Sequence, residues 1–340
     1  MNRTTVILCF SLLLLLGCTR EPELNYSNTA RGNVEALWNI IDKKYCFVEE
    51  KGIDWNTIHD KYMPLADSVK SEKELFDLIA DMLNELGDGH VNLYSDFNVS
   101  RCRSWYESYP DIYNESVVYG EKYLTKDYRV AGGIQYNLID EGNIGLVRYP
   151  SFSSGFGMMN MYYVLDFLSS CRGIVLDVRH NGGGSIEYAK NLASPFFSEP
   201  RQVGWWNHKT GEGHYDLSRP EPMSIDTSNY RYLRWVKPVV VLCDRHSYSA
   251  TNFFVNAMRH ADNCIILGQK SGGGGGMPLS YELPCGWMVR FSSVKMYDID
   301  MNSIEDGIVP DIEVPGKGVT TDVQIDAAVF LINELYDKNK

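Results

Sequence analysis

The chain has 340 residues, 44% of them hydrophobic and 22% charged, enough for one large globular domain or two modest ones. Its formal net charge of -12 argues against polyanionic partners, because nucleic acid or an anionic membrane surface would repel it. No basic run interrupts that acidity.

The first residues read as an export signal rather than as structure. Arg3 supplies a positive start, and Val6 to Leu16 form an apolar core too short to span a bilayer. Leu15-Leu16-Gly17-Cys18 follows the pattern of the bacterial lipobox, in which cleavage leaves the cysteine as a lipid-bearing first residue. The expectation is therefore a signal over 1–18, a polar tether over 19–33, and anchorage to the bacterial cell envelope through a lipid on Cys18. The membrane enters only through that lipid. Cys46, Cys102, Cys171, Cys243, Cys264 and Cys285 remain in the mature part, with no CxxC pair and no zinc spacing. They are expected to be mostly free structural thiols, with no metal.

The mature chain opens with helices. Val34, Leu37, Trp38, Ile41 and Tyr45 recur at three and four residues, and Trp55 to Leu65 is a weaker helix. Ser71-Glu72-Lys73-Glu74 reads as a capping box before Leu75, Phe76, Ile79, Met82, Leu83 and Leu86, with Gly87 as the stop. These elements predict a small helical subdomain over 34–90. Val91 to Tyr136 lacks periodicity and is expected to be irregular with short strands. Beyond Gly145 the pattern alternates: strands over 144–149, 173–179, 239–243 and 264–267, helices over 158–168, 186–192 and 249–259. A strand over 288–292 and a helix over 322–336 close the chain. The prediction for 91–340 is an α/β domain with largely parallel strands.

Four segments can carry chemistry. In the first, the strand Val239–Cys243 runs through a polar loop into a helix at Ser249. There the free N–H groups of a helix start favour developing negative charge, although a serine at this place can equally be a simple cap. In the second, the strand from Gly173 runs through Asp177 and Arg179 into Gly182-Gly183-Gly184, whose amides can approach a ligand closely. No Lys-Ser/Thr follows, so it is not a phosphate loop. In the third, Leu86-Gly87-Asp88-Gly89-His90 places a histidine at the end of a helix, and a serine nucleophile needs such a base. In the fourth, Glu305 and Asp306 sit on a turn before the strand-like 312–314, and an acid there can orient a histidine or merely face solvent.

In this order, these segments resemble the tail-specific and tricorn-like serine peptidase family. The marks are Asp177 to Gly184, Ser247-Tyr248-Ser249-Ala250-Thr251-Asn252, and Gly307 to Val314. The resemblance implies a ClpP/crotonase-like core, no cofactor, and a peptide or protein substrate cut through an acyl-enzyme. It implies Ser249 as nucleophile, His90 as base, Glu305 as orienting acid, and the amides of Gly183, Gly184 and Ala250 as the oxyanion hole. Asp306 is the reserve acid; Lys270 and His246 are rival bases. The processing proteases use a lysine where this chain has Gly272 to Gly276, and Lys270 lies too early in that loop. Some members carry a serine beside the histidine, whereas this chain has Gly89. No PDZ-like module is evident after His90. The competing readings are a catalytically inactive peptide- or ligand-binding lipoprotein on the same fold and an unrelated α/β esterase; no Gly-x-Ser-x-Gly elbow supports the latter.

Overall fold

The computed structural model describes residues 26–108, 112–227, 234–316 and 318–338. The expected export signal and Cys18 lie outside the described residues.

Helix α1 (Ala30–Lys44) is capped by Thr29, whose side chain accepts from the Gly32 amide, and buries Val34, Leu37, Ile40 and Ile41. Helix α2 (Trp55–Tyr62) starts on Asp54 in the same way. Helix α3 (Glu72–Asn84) starts on Ser71, which accepts from the Glu74 amide at 3.3 Å. The expected capping box is only half formed, because the Glu74 carboxylate takes the Lys70 amide instead, at 2.7 Å. Gly87 ends the segment at φ +57, a left-handed position that a glycine adopts without strain. The three helices do not form a core of their own. Their buried faces pack with Leu283, Trp287, Val289 and Phe291, which come from the far end of the chain.

Strands β1 (Asn92–Tyr94), β2 (Arg129–Ala131), β3 (Ile134–Ile139), β4 (Ile144–Arg148), β5 (Gly173–Asp177), β6 (Arg201–His208), β7 (Glu221–Ile225), β8 (Val239–Cys243), β9 (Cys264–Gly268), β10 (Gly276–Glu282), β11 (Met288–Tyr297) and β12 (Ile312–Glu313) form two sheets. The larger has seven strands in the order β12-β9-β8-β5-β4-β3-β2. Its β4, β5, β8, β9 and β12 are parallel, and β2 and β3 extend it antiparallel. Short helices α4 (Arg103–Glu107) and α5 (Glu115–Val118) occupy part of the stretch between β1 and β2.

Both faces of the central parallel strands β4, β5 and β8 are buried. Ile174, Leu176, Val239 and Val241 point to a core shared with α6 (Met158–Phe167), α7 (Ile186–Ala193) and α8 (Ala250–Met258). Val175, Val240 and Leu242 face Ile325, Ala328 and Ile332 of α9 (Val323–Lys338). This two-sided burial explains why the strands read as continuous apolar runs. Each fully buried Leu, Ile, Val or Phe side chain contributes roughly 1.5–3 kcal/mol.

The second sheet, of five strands, departs from the sequence expectation. Its path is β1-β11-β6-β7, with β10 also on β11, and every pairing is antiparallel. Of its strands the sequence singled out only part of β11. Cys46, Cys102, Cys171, Cys243, Cys264 and Cys285 are all free in the structure, and the first four are buried.

Candidate active site

The nucleophile candidate sits where strand β8 hands over to helix α8. Ser249 holds φ 60 and ψ -119, a strained conformation for a residue with a side chain, costing about 1–3 kcal/mol. Neighbouring bonds impose it. The Ser249 amide donates to the Gly273 carbonyl at 2.9 Å, and the Tyr248 amide donates to Asn181 at 3.1 Å. Ser247 Oγ donates to the Val178 carbonyl at 2.8 Å. Asn252, one turn into the helix, donates to the Ile304 carbonyl at 2.8 Å and accepts from Ser271 Oγ at 2.6 Å. The asparagine of the motif is thus a tie between helix and loop. Asp311 has a similar task, accepting the Ile266 amide at 2.8 Å.

His90 reaches this serine from the other sheet's side of the molecule. Its Nε2 lies 2.8 Å from Ser249 Oγ. Its Nδ1 lies 3.5 Å from Ser292 Oγ on β11, a long contact, and Ser292 Oγ donates to Asp88 Oδ2 at 3.3 Å. Asp88 is 1% exposed and is held by the Tyr45 hydroxyl at 2.9 Å and the His90 amide at 2.7 Å. Burial, aided by the charges of Arg290 and Lys51, lowers the His90 pKa to about 4 against the opposing pull of Asp88. The imidazole is therefore neutral at ordinary pH and free to take a proton on Nε2.

Glu305, expected to orient His90, is seated elsewhere. Its carboxylate pairs with Lys51 at 3.0 Å, and its Oε2 is buried without a hydrogen-bond partner among the described residues. Its backbone is pinned from two sides, by Asn252 on the Ile304 carbonyl and by the Gly274 amide on its own carbonyl. Burial and the nearby Asp88 charge raise the Glu305 pKa while Lys51 pulls against them. The carboxylate next to the His90 relay is Asp88, to which the sequence resemblance assigns no role. A carboxylate two residues before a catalytic-type histidine was the signal available in the sequence.

The triple-glycine turn packs directly on Ser249. A Cβ on Gly183, at φ +98, would lie 2.8 Å from Ser249 Cβ and 3.0 Å from the Ala250 amide. The Gly183 amide is already donated to Asn181 Oδ1 at 3.0 Å. No acceptor among the described residues takes the Gly184 amide, and the Ala250 amide lies in the first helical turn, where no intrahelical acceptor exists. Arg179 braces the turn's base through two bonds to Asp177, at 2.9 and 2.7 Å, and one to Asp322 at 2.9 Å.

The model described as peptidase family S41 matches residues 143–314, and that of the tricorn protease C1 domain matches residues 26–84. The chain belongs to peptidase family S41. The crystal structure of a candidate peptidase from Parabacteroides merdae is 42% identical, with a TM-score of 0.84 over 90% of this chain and 97% of that one. The carboxy-terminal processing protease CtpA of Bacillus subtilis is 24% identical over 181 residues, 52% of this chain and 36% of that protein. The chain thus spans well under two thirds of that relative's length. Mature CPAF shares the fold, with a TM-score of 0.65 and 13% identity over 91% of this chain and 96% of that one.

Within this S41 chain the rival bases lie apart from the serine. Lys270 is exposed and lines a cavity of about 280 Å³ with Lys51 and Glu305, one that includes neither Ser249 nor His90. His246 lies tilted against His180, 4.9 Å between ring centres, and its amide donates to Asp244. Asp306 is exposed. The glycine run that replaces an activating lysine follows from packing. A Cβ on Gly274 would lie 2.5 Å from the Tyr248 ring, and one on Gly275 would lie 2.6 Å from the Glu305 amide. Gly89 has the same cause, since a Cβ there would lie 2.9 Å from the Tyr248 hydroxyl and 3.1 Å from the Trp105 ring.

Proposed function

We propose that this S41 member is an exported, lipid-anchored serine peptidase of the carboxy-terminal-processing kind. The observation that carries the reading is the 2.8 Å contact between Ser249 Oγ and His90 Nε2, made by residues 159 positions apart. Ser249 Oγ attacks a peptide carbonyl carbon while His90 Nε2 takes its proton. The amides of Gly184 and Ala250 receive the oxyanion. Collapse breaks the C–N bond, and the leaving amine takes the proton back from His90. Water, activated by the same imidazole, then releases the acyl group and regenerates the serine. As His90 becomes cationic, its Nδ1–H faces Ser292 Oγ, and Ser292 passes the stabilisation to Asp88. Glu305, paired with Lys51, supports this site as part of the buried charge set around Asp88. Anchorage rests on the sequence around Cys18; among the described residues no helix is long and apolar enough to cross a membrane.

The test is a diverse peptide library read by mass spectrometry, with the full chain, Ser249→Ala and His90→Ala run together. The expected result is cleavage by the wild type, none by Ser249→Ala, and a loss of roughly 10²–10⁴-fold in rate for His90→Ala. Equal cleavage by wild type and Ser249→Ala would remove Ser249 as nucleophile. Cleavage by none, with peptide binding retained, would favour the inactive binding lipoprotein.

A further inference from the structure

The cleft around the reactive pair, about 710 Å³, contains two cations and no carboxylate. Arg290 and Arg101 line it together with His90, Ser249 and the triple-glycine turn. In a chain of net charge -12 this is a local reversal of sign. Arg290 is half-buried on β11, and its guanidinium donates to Asn92 Oδ1 at 3.3 Å, a neutral partner. Arg101 is exposed. Among the described residues neither arginine enters an ion pair. A neighbouring groove of about 1000 Å³ shares Val99, Arg101 and Tyr106 with the cleft but also contains Asp77, Asp81 and Glu107. The purely positive zone therefore ends at Arg101 and is centred on the serine's own cleft.

We infer that Arg290, with Arg101 beside it, forms a subsite for a carboxylate carried by the substrate. This rests on the reading of Ser249 and His90 as the reactive pair. A guanidinium partly removed from water and facing no acid is an unbalanced charge, and its planar fork accepts a carboxylate through two parallel bonds. The cleft, walled by protein and carrying one sign of charge, also concentrates anionic ligands from solution. The arrangement has a second effect on chemistry. Arg290 is one of the charges that hold the His90 pKa down. A carboxylate bound on it cancels part of that charge, so a correctly seated substrate makes the imidazole a better base at the moment it is needed. The carboxylate can belong to an acidic side chain or to the free end of a chain, and the experiment separates the two.

The probes are fluorescein-labelled octapeptides of one sequence, with Glu or Gln placed at each central position in turn, each ending in a free carboxylate or an amide. Two readouts are taken on the full chain: kcat/KM for cleavage by wild type, and anisotropy binding to Ser249→Ala. The expected result is a preference of roughly tenfold to a hundredfold for one acidic form over its neutral counterpart. Arg290→Gln abolishes that ratio, Arg290→Lys keeps part of it, and Arg101→Gln lowers it less. Lys73→Gln, an exposed charge outside the cleft, leaves the ratio alone. Preference confined to Glu over Gln assigns an acidic side chain, and preference confined to acid over amide assigns the chain end. An acid kcat/KM limb that shifts between acidic and neutral substrates in wild type, but not in Arg290→Gln, marks the coupling to His90. Equal handling of acidic and neutral peptides, or a ratio that survives Arg290→Gln in a variant with wild-type melting, overturns the subsite. Absence of cleavage with the binding ratio intact sinks the Ser249 reading and leaves the subsite standing.

Discussion

The two sheets contribute different things to the same site. The parallel sheet delivers the strained serine and its amides from two strand-to-helix junctions, after β5 and after β8, braced by bonds among Asp177, Arg179 and Asp322. The antiparallel sheet and the helices packed on it deliver the base and its supports: His90 just before β1, Ser292 on β11, and Tyr45 just after α1. On the proposed mechanism, one half holds the serine and the amides that would take the oxyanion, and the other holds the imidazole that would move the proton. The lesson is that the 2.8 Å contact between them reports how two separately built cores are docked.

That comparison can be broken most forcefully at Phe291, which is fully buried between β11 and the N-terminal helices and next in sequence to Ser292. Phe291→Ala should cost about 3–5 kcal/mol of stability by denaturant unfolding, and the surviving native fraction should lose activity with it. An equal truncation of Phe254 beneath the parallel sheet should destabilise without a separate effect on the base. A fall in activity per folded molecule that is the same for both would dissolve the distinction.

A change of pH sharpens the comparison next. His90 titrates near 4 in the fold and near 6.5 when unfolded, so between these values the unfolded chain binds the extra proton. Stability from this group is complete above about 6.5 and is lost as pH falls towards 4, by about 3 kcal/mol in all. Glu305, with its pKa raised by burial, works in the opposite sense, its contribution declining as pH rises. Melting curves of wild type and His90→Gln across this range isolate the first term. The variant should be flatter, and identical slopes would remove the buried neutral imidazole from the account.

The smallest effect separates the two carboxylates. Asp88→Asn should lower kcat about a hundredfold, less than the roughly 10⁴ seen for a directly bonded orienting acid, because Ser292 intervenes. Glu305→Gln should leave kcat within about threefold, since the amide loses a charge that serves Lys51 rather than the imidazole. Steady-state kinetics of the pair decide the matter, and the reverse order would return the orienting role to Glu305.

How much of this was legible in the sequence depends on which half is considered. The parallel strands were, because strands buried on both faces are continuous apolar runs bounded by glycine and helix. The antiparallel sheet was not. Strand β6 mixes Trp205 and Trp206 with Arg201, Gln202, Asn207 and His208 and is only partly buried, β10 is more exposed still, and β1 pairs with a partner almost two hundred residues away. Register of that kind has no local signature. The site follows the same division. Ser249 and the glycine turn announce themselves by their neighbours, whereas the approach of His90 is a tertiary event that the residues alone leave open. Ser292 carries no mark beyond lying in a strand, and Asp88 meets its partners Tyr45 and Ser292 only through the tertiary fold.

The steric fit between Gly89 and Tyr248 has a consequence for how such a site can change over time. The tyrosine hydroxyl fills the volume that a side chain at position 89 would need, and it lies 3.4 Å from Asp88 Oδ1. A hydroxyl is therefore already supplied to that corner, but from the nucleophile's own loop. The two positions therefore constrain one another: a side chain gained at 89 requires the ring at 248 to shift aside.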